Sequence, residues 1–157
     1  MTHEQFTRAV GTHADTVYRV ALHYTYSPSA AEDVVQEVFL RLFRSGKDFD
    51  SEDHLRFWLI RVCINECKRI HRSPWSRLQP LPSAETLGVT APHKSELFYA
   101  VMALPRKYRL AIHLHYYEGY KTKEIAELLK IPESTVRTQL ERGRKTLKQT
   151  LLEADNV

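Results

Sequence analysis

The last part of the chain carries residues suited to gripping a polyanion. From Glu133 to about Leu152, the residues Val136, Leu140, Gly143, Leu147 and Leu151 return at three- and four-residue steps, the period of one helix face. That pattern turns Ser134, Thr135, Arg137, Thr138, Glu141, Arg142, Lys145 and Lys148 outward. Hydroxyl and guanidinium groups near the start of such a helix can reach base edges in a major groove, and cations farther along suit phosphates. A solvated face on a terminal helix would carry the same charges. The preceding residues favour duplex DNA: Thr122 reads as the cap of a short helix, Lys123–Leu129, with Glu124 in its first turn. A turn at Lys130-Ile131-Pro132 follows. Short helix, tight turn and longer basic helix make the layout of a helix-turn-helix.

A second stripe lies upstream. Arg61, Asn65, Lys68 and Arg72 are spaced to share one helix face, with Trp58 at its edge and Arg56 and Arg69 flanking. Cations beside an aromatic suit a nucleic-acid backbone with a stacking platform. The loop just before, Ser45–Asp53, holds Phe49 among charges. A solvated stripe with Trp58 and Phe49 packed as satellite core fits the same residues equally well. A third face carries Asp33, Gln36, Glu37, Arg41 and Arg44 around Leu40. It reads either as an ordinary solubilising surface or as one that docks another protein. Paired carboxylates on an open helix surface have no pocket in which to do acid–base chemistry, so no enzyme is expected.

Other chemistries are excluded on similar grounds. Cys63, Cys67 and His71 fall at steps of four on one helix, but the outer two are about 12 Å apart along the axis at ~1.5 Å per residue. One ion cannot readily join all three, and both cysteines belong to an apolar stripe, so no metal site is expected. Five glycines leave no phosphate-cradling loop, and neither GxGxxG nor GxxxxGK[ST] occurs; no cofactor and no small-molecule substrate are expected. No apolar run is long enough for a membrane span, and neither a secretory leader at MTHEQFTRAV nor a disulfide scaffold from two cysteines is expected. A reducing cytosol is the expected compartment.

Helices must position these groups. Phe6, Val10, Ala14, Val17, Ala21 and Tyr24 predict a first helix that stops near Ser27-Pro28. Ser29 to Glu32 reads as a capping box opening a second helix to about Arg44, with Val35, Val38, Phe39, Leu42 and Phe43 inward and Gly46 as its stop. A third helix, roughly Glu52 to Arg72, buries Leu55, Leu59, Val62, Cys63, Cys67 and Ile70. Pro74, Pro80, Pro82 and Pro92, with Gly88, then give residues 73–94 the composition of a linker. Beyond it, one helix is expected near Ser95–Leu104 and another from Pro105 to about Glu118-Gly119. The expected fold is all-α: two small helical domains joined by a flexible Pro-rich linker, the second containing the helix-turn-helix. A chain of 157 residues with 43% hydrophobic content has room for two such domains.

The net charge of +4 hides a partition. Residues 1–55 hold five basic and nine acidic side chains, 56–77 hold six and one, and 121–148 hold eight and four. Two separated basic segments suggest one polyanion touched twice.

Three stretches carry a family resemblance. AEDVVQEVFLRLF resembles the D-x-x-Q-[DE]-x-F helix of bacterial sigma factors, and FWLIRVCINECKR resembles their W-L-x-[RK]-x-x-x-N promoter-melting helix. EGYKTKEIAELLKIPESTVRTQLERGRKTL is similar to their C-terminal helix-turn-helix. The three are collinear, and two domains without further regions resemble the extracytoplasmic-function group of the sigma-70 family. The resemblance implies a region 2 domain at 1–72, a linker at 73–94 and a region 4 domain at 95–157. It places Asp33, Gln36, Glu37, Leu40 and Arg41 against core RNA polymerase. It gives Phe49, Trp58, Arg61, Asn65, Lys68 and Arg72 to the minus-ten element, where Phe49, Arg61 and Asn65 would hold a base flipped from the opened non-template strand. It gives Lys123, Thr135, Arg137, Thr138, Gln139 and Arg142 to the duplex minus-thirty-five element. Core polymerase and promoter DNA are the implied partners. An anti-sigma factor is a further one, membrane-anchored in many members, which would hold the protein at the inner face of the membrane. Two positions depart from the family pattern: Glu66 falls on the apolar side of its helix, where pairing with Arg69 or Lys68 is expected, and Gln139 stands where a basic residue is common. A two-domain regulator that binds DNA without recruiting polymerase would explain residues 121–148 but leave the other two faces unused.

Overall fold

The computed structural model describes residues 1–72 and 95–155, so the linker expected at 73–94 lies outside the described residues. The chain divides into two compact units, Met1–Pro82 and Ser83–Val157, and the described residues form helices and no strand.

In the first unit, α1 (His3–Thr25), α2 (Pro28–Ser45) and α3 (Glu52–His71) pack pairwise on one another. Each opens on a side-chain cap. Thr2 and Gln5 close a capping box on α1, Ser27 accepts from the Ala30 amide at the start of α2, and Ser51 accepts from the His54 amide at α3. The cap of α2 is therefore Ser27, two residues before the box expected at Ser29. Pro28 explains the shift, since its fixed φ and missing N–H suit the first helical position. Gly46 ends α2 at φ 62°, in the left-handed region.

The core of this unit comprises Val17, Val20 and Ala21 from α1, Val34, Val38 and Leu42 from α2, and Leu59, Ile60, Cys63, Ile64 and Cys67 from α3. Phe43, expected inward, is 66% exposed and meets Phe6 edge-on at 5.4 Å. Val62 and Ile70 are half-buried, and Ile60 and Ile64 take the core places instead. His13 is buried on α1 and pairs with Glu52 at 2.8 Å, pinning the start of α3 to α1.

In the second unit, α4 (Glu96–Met102), α5 (Arg106–Ile112), α6 (Thr122–Leu129) and α7 (Glu133–Asp155) follow in order, and α7 packs against each of the other three. The buried Arg109 donates Nη1 to the Met102 carbonyl at 3.1 Å, closing the end of α4. α5 continues as a π-turn, His113–Tyr117, where the Glu118 amide reaches back five residues to the His113 carbonyl at 3.0 Å. The His113 and Glu118 side chains, both buried, meet across this turn at 2.7 Å. Gly119 then takes φ 82°, a conformation that side chains resist. Gly143 of α7 faces α5, and a Cβ there would stand 2.8 Å from Ile112 Cγ1. Val136, Leu140 and Gly143 are buried as expected, whereas Leu147 and Leu151 are half-buried.

Candidate nucleic-acid interface

The helix-turn-helix is α6 and α7. α6 begins at Thr122, with Lys121 as its cap residue rather than Thr122, and Glu124 Oε1 accepts the Lys121 amide at 2.9 Å. The Thr122 hydroxyl is engaged elsewhere. It donates to Glu133 Oε1 at 2.9 Å, tying the start of α6 to the start of α7. Lys130, left-handed at φ 57°, ends α6, and the Ile131 amide closes onto the Ala126 carbonyl at 3.1 Å. The hydrogen bond between the two helix starts and the short turn between the helices hold the first turns of α7 in a fixed direction.

On α7, Ser134, Arg137, Thr138, Glu141, Arg142, Lys145 and Lys148 are exposed, Thr135 is half-buried, and Lys123 is exposed on α6. Arg137 Nη1 lies 3.1 Å from Glu133 Oε1, so its guanidinium is partly neutralised within the helix. The Thr138 hydroxyl donates to the Ser134 carbonyl at 3.1 Å. Gln139 does not share this face: it is 8% exposed, and its buried Oε1 has no hydrogen-bond partner among the described residues. It stands three residues after Val136 and four before Gly143, so the core stripe of α7 includes it. Arg144, outside the expected set, is exposed and donates Nη1 to the Tyr116 hydroxyl at 2.9 Å. Its spacing of seven from Arg137 was the available signal.

On the first unit, the loop before α3 brings aromatics and cations together. The Phe49 ring lies 5.5 Å from Trp58 and 5.2 Å, edge-on, from His54. Lys47 Nζ stands 5.6 Å over the Trp58 ring, and the Arg61 guanidinium 5.2 Å over Phe57. Arg61, Asn65 and Lys68 are half-buried along α3, and Arg72 is exposed just past its end. Arg61 Nε is buried with no hydrogen-bond partner among the described residues. Phe49 and Trp58 are thus neighbours, each half-buried, with cations to either side.

The α2 face is only partly available. Asp33 and Gln36 are exposed, Leu40 is 44% exposed, and Phe43 extends the same edge. Arg41 instead reaches inward, its Nη2 donating to Glu66 Oε2 at 2.8 Å and its Nε to Glu37 Oε1 at 3.2 Å. Glu66 also accepts from Arg69, the pairing expected of it, while the link to Arg41 lies 25 residues away and leaves no local trace in the sequence. Cys63 and Cys67 are free thiols buried in the core. Burial first, then the hydrogen bond to Cys67, pushes the Cys63 thiol well above its ordinary range, so it stays protonated. No helix among the described residues is long and apolar enough to cross a membrane.

Comparison with known proteins follows this division. Residues 9–77 match the family model described as Sigma-70 region 2, and 95–147 match that described as Sigma-70, region 4. The chain is 30% identical to the ECF RNA polymerase sigma factor SigE of Mycolicibacterium smegmatis, over 90% of this chain and 60% of that protein. It is 27% identical to the ECF RNA polymerase sigma factor SigW of Bacillus subtilis, over 94% of this chain and 89% of that one. Among solved structures, the sigma factor RpoE in complex with the anti-sigma factor NepR from Bartonella quintana has a similar fold, with TM-score 0.72 and 20% identity over 94% of this chain and 97% of that one. CnrH in complex with the cytosolic domain of CnrY gives TM-score 0.68 and 23% identity, over 98% and 91% respectively.

Proposed function

We propose that this chain, which belongs to the sigma-70 family and to its extracytoplasmic-function group, binds core RNA polymerase and directs it to specific promoters. The first unit would dock polymerase through the exposed edge of α2, with Asp33, Gln36 and Leu40 as its centre and Phe43 extending it. The same unit would open the minus-ten element on α3. A base flipped from the non-template strand would stack at Phe49 and Trp58 and meet the Asn65 amide, while Arg61, Lys68 and Arg72 follow the backbone. The second unit would bind the minus-thirty-five element as duplex, with Thr135, Arg137 and Thr138 near base edges and Lys123, Arg142 and Arg144 near phosphates. Gln139, being buried, takes no part in that reading. The chain's own role is binding and strand separation; bond-making chemistry belongs to the polymerase.

One observation carries this reading: a helix-turn-helix with an exposed basic face occurs in the same chain as an aromatic–basic helix surface and an exposed α2 edge. A regulator that only bound DNA would have use for the first alone. The solved neighbour in complex with an anti-sigma factor supports regulation by such a partner, and the one in complex with the cytosolic domain of CnrY supports a cytoplasmic location. The test is co-purification with core polymerase followed by run-off transcription and mapping of the start sites. Discrete starts that require the chain are expected, each with two sequence elements upstream. Binding of duplex DNA without any retention of polymerase would overturn the proposal.

A further inference from the structure

The Glu66 side chain is 2% exposed, yet it is held between two arginines that belong to different surfaces. Its Oε2 accepts Arg41 Nη2 from α2 at 2.8 Å, and its Oε1 accepts Arg69 Nε at 3.0 Å, with Arg69 Nη2 on the same oxygen. Arg41 Nε donates onward to Glu37 at 3.2 Å. The contacts therefore start on the outer face of α2, pass through a buried carboxylate, and emerge on α3 at Arg69, four residues from Asn65 and three from Arg72. Two carboxylates and two guanidiniums cancel one another within this set.

Burial decides how the network behaves. Arg41 and Arg69 are 43% and 67% exposed and can each meet an outside acceptor, whereas Glu66 has no recourse to water. An ionised carboxylate removed from solvent is tolerated only while its donors stay in place. If an outside acceptor draws Arg41 away, Glu66 depends on Arg69 and holds it harder against α3. If a phosphate draws Arg69 away, Glu66 depends in the same way on Arg41. Neither arginine can be moved without changing the hold on the other. Hydrogen bonding to Glu66, the largest cause, raises the Arg69 guanidinium above its ordinary range, as expected for a cation kept in this contact.

We propose that Glu66 is a positioning residue that links polymerase docking on α2 to promoter opening on α3, by holding Arg41 and Arg69 on one buried carboxylate. This rests on the sigma-factor reading above. The experiment is a double-mutant cycle in holoenzyme assembled from the full chain. It compares wild type, Arg41→Gln, Arg69→Gln and the pair, with Glu66→Gln alongside. Opening is read at saturating polymerase by permanganate reactivity of unpaired thymines on a mapped promoter. Polymerase affinity is measured separately, so that weak docking is not mistaken for weak opening. Each single arginine variant should lower the opening rate about fivefold, and the pair should depart by about fivefold or more from the roughly 25-fold product of independent effects, because the second replacement removes the donor on which Glu66 then depends. Glu66→Gln should match them; if that variant fails to fold, the two surface arginines decide alone. Losses that multiply, single variants that open normally, or an Arg41→Gln that alters polymerase affinity alone would each overturn the link. A wild-type chain that never engages polymerase overturns the sigma reading and the link together; normal initiation with multiplying losses overturns only the link.

Discussion

Asn65 is half-buried on α3, four residues beyond Arg61, three before Lys68 and seven beyond Trp58, against which the preceding loop sets Phe49. An amide offers a donor and an acceptor, which suits the edge of an unpaired base more than a phosphate. Asn65→Ala should therefore slow promoter opening by about tenfold, the loss of roughly one well-placed hydrogen bond, and leave closed-complex binding nearly unchanged. Equal loss at both steps would remove the flipped-base role. Residues of this kind are legible because helical spacing alone puts them on one face. Arg41 and Gln139 were not. Arg41 lies on the outer stripe of α2 by period, but a flexible stem lets its guanidinium turn inward to a carboxylate 25 residues away. Gln139 is polar by type and core by position, and composition outweighed its spacing of three from Val136. Side-chain reach and tertiary pairing decide the case of Arg41 and are not written in local periodicity, whereas the burial of Gln139 follows from its period and only its residue type points outward.

Elements were more readable than residues. The seven expected helices and the turn between α6 and α7 all appear, because apolar periodicity, caps and proline act within a few residues. The π-turn at His113–Tyr117 departs from the regular helix expected there, since a back-bond over five residues depends on what the turn packs against. Phe43 differs from expectation in another way: its period is inward, yet near the end of α2 it is 66% exposed, with Phe6 edge-on against it. Between elements, α7 approaches α5 closely at Gly143, where an added Cβ would meet Ile112 Cγ1 at 2.8 Å. Ile112 must shift to admit it. Overpacking of that sort costs ~1–3 kcal/mol, offset in part by ~1 kcal/mol of helix propensity gained on replacing glycine. Gly143→Ala should thus destabilise the second unit by about 1 kcal/mol, seen as a fall of a few degrees in its thermal midpoint. A midpoint that rises would mean that α5 and α7 do not meet this closely.

Across the whole chain, the modest net charge of +4 resolves into an acidic stretch over 1–55 and basic stretches over 56–77 and 121–148. The acidic stretch contains the proposed docking helix, and the two basic stretches lie in different compact units. If each basic stretch serves its own promoter element, cations taken from the two should act independently. Arg72 at the end of α3 and Arg142 on α7 are both exposed, and they lie in different units. For holoenzyme bound to a mapped promoter, each single replacement by Gln should lower the salt slope by about one and weaken binding at fixed salt. The double replacement should weaken binding by the product of the two factors, additive in free energy to within ~0.5 kcal/mol. The contrast with Arg41 and Arg69 is the useful part, because those two meet on one carboxylate and should not add. A double variant at 72 and 142 no worse than either single would mean that the two basic stretches serve one contact, and the assignment of separate promoter elements to separate units would have to be abandoned.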